Sequence, residues 1–115
     1  MSARPDDREQ LNHIVEAIGR IKRFTGEMDF EAFSKDEVVQ FAIIKNFEII
    51  GEAAYHLTDE VREANPQVEW KKIMAFRHIL VHDYYKINLE IVWKARKNKI
   101  DELRKQIKEI LAENQ

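Results

Sequence analysis

Residues 76–85 read Phe-Arg-His-Ile-Leu-Val-His-Asp-Tyr-Tyr and gather an arginine, two histidines, an aspartate and two tyrosines around an apolar trio. An arginine offers a planar fork that matches a phosphate. A histidine takes or gives a proton near neutral pH. Arg77 and His82 therefore supply the minimum for cleaving RNA without a metal. His82 would deprotonate the 2′-hydroxyl or protonate the leaving 5′-oxygen, and Arg77 would stabilise the charge growing on the phosphoryl oxygens. The nucleophile comes from the substrate, so the chain needs none of its own.

Spacing sets the difficulty. Five residues apart on a regular helix, Arg77 and His82 diverge by about 140°. They converge if the arginine curls round, if the helix loosens near His82, or if a symmetric dimer brings a second set to the same cleft. Two other readings remain open. One is structural, with His82 at a helix end and Arg77 paired to Glu48 or Glu52, which lie four apart on one helix face. The other is a metal site, because His78 and His82 stand at i, i+4. No Glu follows His78 as in a zinc-protease motif, and Asp83 points about 100° from His82. His13 reads as a surface or boundary residue, and His56 as a helix-end cation.

The elements that must hold this stretch are helices. Leu11, Ile14, Val15, Ile18 and Ile21 make one apolar stripe in a first helix that starts near Asp6 or Asp7 and stops at Gly26. Ser34-Lys35-Asp36-Glu37 fits a capping box for a second helix. Val38, Phe41, Ala42, Lys45, Ile49 and Ala53 mark its turns to about Leu57. Thr58 caps a short turn over residues 59–64, which Asn65-Pro66 ends. A third helix runs from about Glu69 to Asp83, and Ile79, Leu80 and Val81 face the core or a partner subunit. Asn88 caps a fourth that continues close to the C-terminus. Short connections make neighbours antiparallel, so the expected fold is all-α, an up-and-down four-helix bundle with a short extra helical turn.

Composition agrees. The 115 residues suit a single domain over 1–115, with residues 1–5 expected to be a flexible N-terminus. With only 3 Gly and 2 Pro the chain is poor in turn residues, against a β-sandwich or barrel. Zero cysteines exclude a disulfide framework, a thiol nucleophile and a cysteine-ligated zinc. No apolar run reaches the span of a membrane, and the polar N-terminus does not read as a signal peptide, so a cytoplasmic protein with no membrane association is expected. The net charge of -2 conceals an asymmetry. Residues 1–70 carry -7 and residues 71–115 carry +5, so the half holding Arg77 and His82 can face a polyanion.

Arg77-x-x-x-x-His82-x-Tyr84 resembles the Arg-x4-His-x-Tyr signature of the HepT toxins, within the HEPN ribonuclease superfamily. Three further blocks support the likeness: Phe47-Glu48-Ile49-Ile50-Gly51-Glu52-Ala53-Ala54, then Pro66-x-x-x-Trp70, then Tyr84 through Asn88-Leu89-Glu90-Ile91-Val92-Trp93. The likeness as a whole covers roughly residues 10–112. After the motif the family usually reads aromatic-Gly-x-Asp, where this chain has Tyr85-Lys86-Ile87-Asn88. The resemblance implies an all-α homodimer with a composite site at the dimer cleft, acting as a metal-independent endoribonuclease with no cofactor. It implies that Arg77 and His82 are the catalytic pair, with His78 and Glu48 supporting them. It further implies an MntA-like nucleotidyltransferase antitoxin that adds AMP to Tyr84. HEPN domains also serve as non-catalytic partners of nucleotidyltransferases, and that is the alternative role.

Overall fold

Four buried side chains of one helix, Leu11, Ile14, Ile18 and Ile21, form the spine of the molecule; none has any solvent exposure. They belong to α1 (Pro5–Thr25) in a computed structural model that describes residues 5–83 and 86–113. Pro5 suits a first helical turn because the missing N–H would find no partner there. The helix thus includes the last residue of the stretch expected to be flexible, and the rest of that stretch lies outside the described residues. Asp6 and Asp7 place negative charge at the N-terminus. Gly26 stops the helix at a positive φ of 49°.

Six more helices follow: α2 (Phe30–Ser34), α3 (Glu37–His56), α4 (Asp59–Ala64), α5 (Trp70–His82), α6 (Leu89–Asn98) and α7 (Ile100–Glu113). Among the described residues there is no strand, and the all-α expectation holds. α1 packs along α3, α3 along α5, and α7 returns against α1. The expected short turn at 59–64 is α4, capped by Thr58 as read from the sequence.

Two local readings need correction. Ser34 does not cap the second long helix. It closes α2, and its hydroxyl donates to the Glu31 carbonyl at 2.7 Å. Asp36 caps α3 instead, accepting from the Val39 N–H at 3.0 Å. The fourth helix breaks at Lys99 into α6 and α7. Asn88 caps α6 as expected, accepting from the Glu90 N–H at 2.9 Å.

The three buried polar side chains are all partnered. Asp7 accepts from the Thr58 N–H at 2.8 Å and its hydroxyl at 2.9 Å, tying α1 to the start of α4. Asn46 accepts from Arg20 Nε at 2.7 Å. Thr25 donates to the Ile21 carbonyl and accepts from Arg96 Nε, which fixes α6 to the end of α1. The Trp93 ring lies 5.0 Å from Phe33, docking α2 on α6.

Candidate active site

α5 carries Arg77, His78 and His82, and its placement comes from both ends. At the start, Trp70 is buried and its indole N–H donates to the Asn65 carbonyl at 3.0 Å. Glu69 lacks a side-chain cap bond and instead pairs with Lys72 at 2.8 Å and Lys99 at 3.6 Å. The Lys72 hydrogen bond, helped by the charges of Lys72 and Lys99, holds the Glu69 carboxyl below its ordinary range. The same bond raises the Lys72 ammonium. In the middle, Phe76 meets Phe47 of α3 edge-on at 5.3 Å. Further along, Leu80 is buried. These contacts present the polar face of the last two turns outward.

The helix keeps its regular bonding to the end. The Asp83 N–H donates to the Ile79 carbonyl at 2.9 Å, and Lys86 N–H closes the next turn on Asp83 at 2.8 Å. Loosening of the helix before His82 is therefore removed as a route to convergence. Within one chain Arg77 and His82 leave α5 in different directions. Arg77 lies half-buried with its aliphatic stem against Gly51 of α3, whereas His82 is exposed. Its ring contacts that of exposed His78, tilted by 41° with 4.3 Å between centroids.

Glu48 sits one turn before Gly51 on α3, half-buried at the wall of an open cleft of about 620 Å³. Phe41, Ile44 and Lys45 of α3 share that wall, and Leu80 and Val81 of α5 face them. The cleft therefore opens beside the last turns of α5. Among the described residues no ion pair joins Arg77 to Glu48 or Glu52; Glu52 lies 3.7 Å from His56 instead. The purely structural account of Arg77 loses its partner. Nor does a third His, Cys, Asp or Glu join His78 and His82 among the described residues. Tyr84 lies outside the described residues.

Of the second-helix stripe read from the sequence, only Ala53 is buried, so the phase is off for the rest. The buried face of α3 runs through Ile43, Asn46, Phe47, Ile50, Gly51, Ala53 and Ala54. Val38 is 80% exposed and Phe41 59% exposed. Ile79 and Val81 of α5 are exposed as well, while Leu80 between them is core. Sequence reasoning also left Gly51 without a role of its own. Its only signal was a glycine inside a helix, which marks a close backbone approach without saying to what.

Comparison with known proteins places the chain among ribonuclease relatives. A family model described as Ribonuclease HepT-like matches residues 14–110. A relative named Putative RNase from Caldanaerobacter subterraneus is 43% identical over 105 residues, covering 90% of this chain and 93% of its own. A second, also named Putative RNase, from Methanocaldococcus jannaschii, is 40% identical over 106 residues, covering 92% and 88%. A third, named Probable ribonuclease HepT, from Thermococcus cleftensis, is 35% identical over 97 residues, covering 84% and 88%. No solved structure matches the chain significantly.

Proposed function

Because the chain belongs to the HepT-like ribonuclease family, we propose that it is a metal-independent endoribonuclease toxin whose reacting groups are Arg77 and His82. The observation that carries the reading is Arg77 itself. It is held half-buried with a sheltered Nε that no group among the described residues satisfies. An arginine without a carboxylate partner is suited to a phosphate that arrives with the substrate.

The chemistry balances with these groups. An imidazole removes the proton of the RNA 2′-hydroxyl, and that oxygen attacks the adjacent phosphorus. The bond from phosphorus to the 5′-oxygen breaks, and a protonated imidazole returns the proton to the leaving oxygen. The products are a 2′,3′-cyclic phosphate and a 5′-hydroxyl. Arg77 offsets the charge on the non-bridging oxygens. His78, in tilted contact with His82, steadies its ring, and Glu48 helps orient the site.

One histidine cannot serve as acid and base at once on opposite sides of a phosphorus. A homodimer supplies the second set. The exposed Phe41 of α3 and Val81 of α5, both lining the cleft, give a second copy an apolar surface to cover. In the cell the toxin would act on cytoplasmic RNA. A neighbouring MntA-like nucleotidyltransferase would silence it by placing AMP on Tyr84, where a bulky anion two residues from His82 repels RNA and competes for Arg77.

Purified protein with a chelator present should cleave RNA to cyclic-phosphate ends, and Arg77→Ala and His82→Ala should each abolish cleavage with circular dichroism unchanged. Retained cleavage by either folded variant overturns the assignment. Absence of cleavage by the unsubstituted protein, with tight binding to a nucleotidyltransferase, supports the non-catalytic role instead. Mass spectrometry after co-expression with that enzyme should find AMP on Tyr84; full inhibition with Tyr84 unmodified removes this part of the mechanism.

A further inference from the structure

Gly51 is buried within α3, on the side that packs against Arg77 of α5. A Cβ at this position would overlap the Cβ of Arg77 outright and lie 3.1 and 3.2 Å from its Cγ and Cδ. The whole aliphatic stem of the arginine is thus laid along the bare backbone of one glycine. Gly19, inside α1, has nothing within 4 Å of the same construction. The contact is therefore particular to Gly51. A glycine costs a helix interior stability relative to alanine, and here it yields a close approach at the residue with the phosphate-binding role.

The consequence shows at the other end of the side chain. Arg77 Nε is shut off from solvent and has no hydrogen-bond partner among the described residues. Arg20 and Arg96, by contrast, donate through Nε, to Asn46 at 2.7 Å and to Thr25 at 2.8 Å. Burial of an unsatisfied guanidinium N–H is unfavourable by itself. The close packing of the stem on Gly51 is what holds it there, with no carboxylate to neutralise it.

We propose that Gly51 is the positioning residue for Arg77: its missing side chain forms a seat that sequesters the arginine stem and Nε and fixes the direction in which the guanidinium meets a substrate phosphate. This rests on the reading of Arg77 as the phosphate-binding group. A shift of about 1 Å in such a group can lower a rate by roughly 10²-fold. Gly51→Ala therefore acts on the reaction through Arg77 and not only on stability.

The test uses the full chain and a 2′-O-methyl RNA that binds but cannot be cut, with cleavable RNA in parallel. Each phosphate contact on a single strand contributes about 0.7 to the slope of log affinity against log salt. Arg77→Ala should lower that slope by about one contact, Gly51→Ala by the same amount, and the double variant by no more than either. Folded Gly51→Ala should cleave about 10²-fold more slowly. A folded Gly51→Ala variant that melts earlier but keeps the wild-type slope and rate overturns the proposal and leaves Gly51 as a packing residue. Should Gly51→Ala not fold, the unsubstituted protein decides. Its Arg77 Nε–H signal in nitrogen-15 NMR should exchange with water much more slowly than those of surface arginines, and equal exchange rates overturn the seat. If Arg77→Ala instead cleaves and binds as the parent does, the phosphate-binding role of Arg77 fails while the exchange measurement still reports on the seat.

Discussion

The first helical pair and the end of α5 are built by opposite rules. Where α1 meets α3, apolar side chains are fully buried and each buried polar group, Asp7, Thr25 and Asn46, has partners. At the end of α5 an arginine Nε is buried without one, two histidines stand in solvent, and Ile79 and Val81 are left uncovered. The one region spends its sequence on closing a core. The other departs from local satisfaction, and such departures concentrate at functional sites. The two are joined by α3, whose one face packs on α1 and whose Gly51 touches Arg77. A rigid core can thus hold a poorly satisfied site in place.

Substitutions should separate the two regions. His82→Ala should lower cleavage by about 10²–10⁴-fold while unfolding in denaturant moves by no more than about 0.5 kcal/mol, since the side chain is exposed. A large stability loss there breaks the contrast. Ile18→Ala should cost about 2–5 kcal/mol in the same unfolding experiment, with cleavage per folded molecule unchanged. Asp7→Ala leaves the Thr58 donors unpaired and should cost about 1–3 kcal/mol, again without a change in cleavage per folded molecule. The smallest effect belongs to the bridge from α1 to α7. The Lys22 hydrogen bond holds the Asp101 carboxyl below its ordinary value of 3.8. A depressed folded value stabilises above the unfolded value and is lost as pH falls through the folded one. Asp101→Asn should therefore cost about 0.2–1 kcal/mol at neutral pH, as exposed pairs do, and nothing once the pH is well below 3.8.

The same contrast explains what could be read in advance. α1 was legible because its apolar residues fall on one face and its polar ones on the other. α3 was not phased correctly because Val38, Phe41, Ile43, Ile44, Phe47, Ile49 and Ile50 surround the helix, so periodicity alone admits either side as core. Ser34 and Asp36 were rival caps two residues apart, and only the presence of α2 decides between them. The break at Lys99 carries no glycine or proline to announce it. At the site, Arg77 and His82 were legible by type and spacing, and their divergence on a regular helix was too. The seat of Arg77 on Gly51 was not, because it joins residues 26 apart in the chain.

The placement of the two tryptophans gives the protein a pair of optical reporters at different joints. Trp70 anchors the root of α5 through its bond to Asn65. Trp93 of α6 packs on Phe33 of α2, with the Arg96 guanidinium 5.9 Å from its ring. Trp70 stands twelve residues before His82 on one helix, about 18 Å along the axis. A fluorescence change at Trp70 on adding RNA would therefore report tilt of the whole α5 rod, not contact with the ligand. Replacing either tryptophan by phenylalanine would make the remaining emission specific to one joint, so the order in which the joints open could be followed without a label.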